Sequence, residues 1–61
     1  MENLTTKELA SIEDQLSKEQ CVIKKYKMYA QDMSDPQLKT KCEQIASAHS
    51  EHYTKLLNKL S

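Results

Sequence analysis

Apolar side chains recur at alternating spacings of three and four residues along the first half of this chain, and this period restricts its fold most strongly. Such a stripe covers one face of an α-helix, whereas a half-buried strand would need a period of two. The stripe consists of Leu9, Ile12, Leu16, Glu19, Ile23, Tyr26, Ala30 and Met33. The first half of the chain is therefore predicted to be one long amphipathic helix.

A second helix is expected to begin at the only proline. Pro36 suits the first turn of a helix and keeps the residue before it out of helical backbone, so Ser34 or Asp35 is predicted to be the N-cap. At the start of the first helix, Thr5 and Glu8 have the spacing of a capping box. These signals give both helices a defined start.

The fold predicted from these patterns is all-α. The chain has 61 residues, no Gly and many helix formers. We predict a single domain over 1–61 with a first helix at about 5–33, a turn at 34–35 and a second helix at about 36–60. Because the turn is short, the helices must be antiparallel neighbours.

We also predict that this helical hairpin forms a homodimer. A chain of about 60 residues buries only about 60% of its surface alone, and the apolar stripe of the second helix is too wide for one partner helix. Two hairpins related by a two-fold axis would make a four-helix bundle. Its core and dimer interface are assigned to Leu9, Ile12, Leu16, Ile23, Tyr26, Ile45, Tyr53, Leu56 and Leu57.

Three ionisable residues interrupt the apolar stripes at one level. Antiparallel packing places Glu19 opposite the stretch that contains His49 and His52. One interpretation is a hydrogen-bonded polar layer that fixes the register of the helices, which requires no cofactor. The other is a metal site, for which two imidazoles and one carboxylate would favour a transition metal such as Zn or Fe.

Several functions are disfavoured by the composition. Nine Lys balance nine acidic residues and Arg is absent, which is unlike a nucleic-acid-binding protein. No run approaches the roughly 20 apolar residues of a membrane span. Without Gly, loop-built phosphate or catalytic sites are not expected, and no nucleophile–base set is present. We therefore expect neither an enzyme, nor a nucleic-acid partner, nor membrane insertion.

The two cysteines lie on different faces of the predicted hairpin. Cys42 belongs to the apolar stripe of the second helix, whereas Cys21 falls on the outer face of the first. They are too far apart along the hairpin for an internal disulfide. Cys21 is either a cross-link between neighbouring dimers or an unpaired surface thiol.

Several segments together resemble short spore coat proteins of the Coat F type: 4–9 (LTTKEL), 25–30 (KYKMYA), 35–39 (DPQLK), 42–46 (CEQIA) and the His49-x-x-His52-Tyr53 motif. The resemblance implies a ferritin-like helical fold, synthesis in the cytoplasm followed by incorporation into the spore coat, and other coat proteins as partners. By the same resemblance, Glu19 matches the first-helix Glu of ferritin-like sites and His52 the His of their Glu-x-x-His pair. His49 replaces the Glu of that pair, which argues against ferroxidase chemistry.

The sequence therefore favours a structural spore coat building block that acts as a dimeric helical bundle. The main alternative is a ferritin-like metal-binding module with its Glu/His site in the bundle core. A third, less favoured hypothesis is a regulatory dimerisation module that captures a helix of another protein on its wide apolar face.

Overall fold

The computed structural model describes residues 4–60, which form two helices packed as an antiparallel hairpin. Helix α1 spans Thr6–Asp32 and α2 spans Pro36–Asn58, and the described part of the chain has no strand. The Cα atoms occupy 47 × 14 × 10 Å. The predicted all-α hairpin is confirmed. Neither helix is long and apolar enough to cross a membrane.

The start of α1 has the predicted capping box. The hydroxyl oxygen of Thr5 accepts a hydrogen bond from the backbone N–H of Glu8, and the backbone N–H of Thr5 donates to the Glu8 carboxylate, both at 3.0 Å. Two of the N–H groups that a helix start leaves unpaired are thereby satisfied. Thr5 is the cap and so lies just outside α1.

The start of α2 is capped by Asp35 rather than Ser34. A carboxylate oxygen of Asp35 accepts hydrogen bonds from the N–H groups of Gln37 at 2.8 Å and Leu38 at 3.2 Å. Met33 has extended backbone (φ −77°, ψ 132°) and ends α1. Non-helical residues thus occupy 33–35, so both helices are slightly shorter than the predicted ranges.

The most deeply buried apolar side chains of the hairpin are small. Among the described residues, the buried apolar ones are Ala30, Cys42 and Ala46, and Glu19 is the buried charged residue. Small residues let the backbones approach closely, but they leave the larger apolar side chains on either side only half covered. The hairpin therefore has a thin line of core and little interior.

The two broad sides of the hairpin differ in character. One side, the polar face, carries a groove over Ala30 and Ala46 whose rims are formed by Lys27, Gln31, Lys39, Glu43, Ser47 and Ser50. Lys27 also borders a second, more apolar groove, which is lined by Gln20, Cys21, Ile23, Lys24 and Tyr53. Val22 and Tyr29 are seven residues apart on α1, and Leu38 and Ile45 are seven residues apart on α2. Each pair therefore lies along the edge of its helix that faces away from the groove over Ala30 and Ala46. Helix periodicity assigns Val22, Tyr26, Tyr29, Leu38, Ile45 and Leu56 to the opposite side, here called the apolar face.

Candidate metal site

Glu19, His49 and His52 meet between the helices. The Nδ1 atom of His49 lies 2.5 Å from one carboxylate oxygen of Glu19, and the Nδ1 atom of His52 lies 3.3 Å from the other. Each oxygen of the carboxylate thus faces a different imidazole. The structure brings together the three residues that the sequence placed at one level.

Helix periodicity explains this convergence. His49 and His52 are three residues apart, so their side chains project from neighbouring positions on one face of α2. Their rings pack edge to face, with centroids 5.2 Å apart and an interplanar angle of 81°. Glu19 lies midway along α1, and the antiparallel arrangement brings it level with both rings. The cluster consequently sits near the middle of the hairpin.

Burial decreases sharply across the cluster, and this corrects the sequence prediction. Glu19, His49 and His52 were expected to occupy equivalent positions in apolar stripes. Instead, the side-chain exposures are 7% for Glu19, 32% for His49 and 55% for His52. The reason is geometric: three residues beyond His49, the helix has rotated by about 60° away from the contact line. The cluster is therefore closed at Glu19 and open at His52.

The open side of the cluster lies on the apolar face. His52 follows Leu38 and Ile45 at seven-residue spacings, so all three share one edge of α2. A group that covers the apolar face would therefore also cover His52.

The cluster has the composition of a site for a borderline transition-metal ion. One ligand atom from each of the three residues lies within 4.8 Å of the other two. Donor atoms around one tetrahedral Zn²⁺ are roughly 3.4 Å apart, given bond lengths near 2.1 Å. To share an ion, the three side chains would therefore have to rearrange, and the short His49–Glu19 contact would be replaced by bonds to the metal.

The same geometry also makes a self-contained hydrogen-bonded layer. Glu19 has an imidazole nitrogen near each oxygen, and the described part of the chain contains no buried side-chain nitrogen or oxygen that lacks a hydrogen-bond partner. A satisfied polar layer is stable without an ion. The site can thus either fix the register of the hairpin or bind a metal.

A second polar contact crosses the hairpin one residue away. The side-chain amide of Gln20 donates a hydrogen bond to the Tyr53 hydroxyl at 3.1 Å. The sequence assigned Tyr53 to the core or dimer interface and gave no role to Gln20. The bond was missed because Gln20 lies off the apolar stripe, and only the long amide side chain lets it reach across.

The other residues singled out from the sequence lie away from the cluster. Cys21 is exposed and Cys42 is buried, and both thiols are free. Tyr26 makes an edge-to-face contact with Tyr29, with ring centroids 5.5 Å apart. Leu57 is 44% exposed. The remaining residues assigned to the core and interface are half-buried: Leu9, Ile12, Leu16, Ile23, Tyr26, Ile45, Tyr53 and Leu56.

Comparison with known proteins gives no relative for this hairpin. No family model matches the chain, and neither a curated protein nor a solved structure is significantly similar to it.

Proposed function

We propose that the protein is a structural, non-catalytic building block whose hairpin pairs with a second copy to form a four-helix bundle. The observation that supports this proposal is the surface that the hairpin leaves uncovered. The chain exposes 4899 Å², whereas a compact folded protein of 7.1 kDa exposes roughly 4,100 Å². The elongated shape of the hairpin accounts for part of this excess of about 800 Å², which is of the order that each partner contributes to a standard protein–protein interface.

The test of this proposal is the mass of the protein in solution. Sedimentation equilibrium over a hundredfold range of concentration is expected to show a monomer–dimer equilibrium with the dimer favoured at micromolar concentration. Circular dichroism of the same samples reports whether the helices are intact. A helical monomer at all concentrations would remove the basis for the proposal.

The site of action that we propose is the spore coat. This part rests on the resemblance of the sequence to Coat F proteins, together with the elongated hairpin and its balanced charge, which suit packing into an assembly. Other coat proteins would then be its partners, and the exposed Cys21 thiol would be available to cross-link adjacent dimers. Detection of a tagged chain in purified spore coats, and its absence from the cytosol of mature spores, is the expected result.

A second candidate function is metal binding, and the arrangement of Glu19 with two imidazoles specifically favours it. Glu19 is almost fully buried, yet both of its oxygens face ring nitrogens that are ligands for Zn²⁺ or Fe²⁺. Since the two ligand sets come from different helices, a bound ion would join α1 to α2. The three residues would hold the ion, which would supply Lewis-acid character there if bound.

Isothermal titration with Zn²⁺ tests this second function. One ion per hairpin is expected to bind to the wild type, and Glu19→Gln is expected to weaken binding by about 10-fold or more. Glu43→Gln is the matched control, because Glu43 is an exposed carboxylate on the polar face. Cys21→Ser excludes zinc held by the exposed thiol. Equal affinity in the Glu19 and Glu43 variants would reject the site.

A further inference from the structure

We propose that the second copy docks on the apolar face, so that the two Glu19–His49–His52 clusters are enclosed at the centre of the dimer. This inference rests on the proposed self-association and identifies the surface that performs it. The polar face, with its charged rims, stays in contact with water.

The first support is the unequal composition of the two faces in the half of the hairpin near the turn. Two lysines, one glutamine and one glutamate flank the groove on the polar face, namely Lys27, Lys39, Gln31 and Glu43. Covering them would desolvate charges for which the groove offers few partners. The apolar face instead presents aromatic and aliphatic side chains, which are the groups enriched at the cores of interfaces.

The second support is the position of the exposed large apolar side chains. Tyr29 and Leu38, which are 40% and 50% exposed, lie on the apolar face near the turn. Half-buried Val22, Tyr26 and Ile45 lie between them and the cluster. They form a continuous strip that one helix of a partner can cover.

The third support is that the area matches one occupant. The uncovered excess of about 800 Å² per chain suits a partner that contributes an equal area, as a second copy does in a two-fold dimer. A short peptide would cover less than this area.

The consequence for the Glu/His cluster follows from its place along the hairpin. Glu19 is at the midpoint of α1, so two fully overlapping hairpins bring their clusters to the same level. The partner then covers the open side at His52, whose side chain is 55% exposed in the single hairpin. The dimer would contain a central polar layer of two carboxylates and four imidazoles.

Two matched double variants test which face is covered. Tyr29→Gln with Leu38→Gln removes two exposed apolar side chains from the apolar face. Met28→Gln with Leu57→Gln removes two others with similar exposures of 55% and 44%, which point away from that face. Sedimentation equilibrium is expected to show a dimer Kd raised roughly 100-fold by the first pair, because each substitution acts twice in a dimer, and less than about 5-fold by the second. A dimer weakened more by the second pair would overturn the proposal.

The wild-type protein provides a measurement that does not depend on how well the variants fold. Diethyl pyrocarbonate modifies accessible imidazoles, and fragment-ion mass spectrometry distinguishes His52 from His49. The rate at His52 is expected to fall at least about 5-fold between protein concentrations below and above the dimer Kd. A His52 rate unchanged in a protein that sedimentation shows to be dimeric would reject this surface alone. Absence of any dimer would instead reject the proposed self-association.

Discussion

At the scale of single residues, the two histidines make unequal contributions to the same cluster. His49 lies 2.5 Å from a carboxylate that is almost entirely buried, whereas His52 is more than half exposed and lies 3.3 Å away. Removing a partner from a buried charge costs more than removing one from the surface, because water replaces the surface contact. His49 is therefore expected to contribute more than His52 to the stability of the folded protein.

We predict that His49→Ala lowers the free energy of unfolding by about 1–3 kcal/mol, and His52→Ala by less than about 1 kcal/mol. Both substitutions introduce the same helix former, so the gain in helix propensity cancels in the comparison. Urea unfolding followed by circular dichroism measures both values. Equal losses of unfolding free energy in the two variants would show that the buried contact of His49 with Glu19 contributes no more than the exposed contact of His52.

Glu8 contributes a pH dependence at the start of α1. The backbone N–H of Thr5, and next the Thr5 side chain, hold the pKa of the Glu8 carboxyl below its ordinary value of 4.5. A group whose pKa is lower in the folded state stabilises that state above its unfolded pKa, and the contribution is lost as the pH falls through the lowered pKa. The capping box is thus expected to weaken only in acid.

The measurement for Glu8 is a carboxyl-carbon NMR titration. The midpoint for Glu8 is expected below 4.5 in the wild type and part of the way back towards the ordinary value in Thr5→Ala, which loses one half of the capping box. Identical midpoints in the two proteins would contradict the assignment of the pKa shift to this motif.

At the scale of the elements, each helix begins where a side chain satisfies its first N–H groups. These caps depend on residues two or three positions apart, so the sequence predicted the capping box at Thr5 without knowledge of the packing. The start of α2 was left between Ser34 and Asp35, because both side chains can cap a helix. The backbone of the turn decides in favour of Asp35.

Asp35→Ala is predicted to destabilise the protein by about 1 kcal/mol, the usual cost of losing an N-cap. Ser34→Ala is the matched control, since Ser34 lies next to the cap in the same exposed turn, and its effect should stay within about 0.5 kcal/mol. Thermal unfolding of the two variants measures the difference. A larger loss from the Ser34 variant would place the cap one residue earlier.

At the scale of the whole molecule, the hairpin has too little interior to account for its apolar content. Its buried apolar residues are two alanines and one cysteine within the described range 4–60, and small side chains contribute little transfer free energy. The larger apolar residues are only half-covered or exposed, which is consistent with the proposed pairing with a second copy. A protein that is stabilised by pairing with a second copy becomes more stable as its own concentration rises.

We therefore predict that the melting temperature rises by about 5 °C for each tenfold increase in protein concentration above the dimer Kd. The Tyr29→Gln, Leu38→Gln double variant should lose most of this dependence, because it is expected to remain monomeric. Differential scanning calorimetry at several concentrations measures both. A constant melting temperature in the wild type would indicate that the single hairpin is the complete folded unit.

The sequence by itself determined the helices, the capping box at Thr5 and the level at which Glu19 meets the two histidines. These features follow from the fixed rise and rotation of an α-helix and from contacts within one turn, all of which can be read from residue spacing. The tertiary structure decided how each side chain is oriented about the contact line. That orientation results from the packing of α1 against α2, which buries Glu19, leaves His52 exposed and brings Gln20 to Tyr53. Such differences arise from packing between residues some 30 positions apart, which no local spacing specifies.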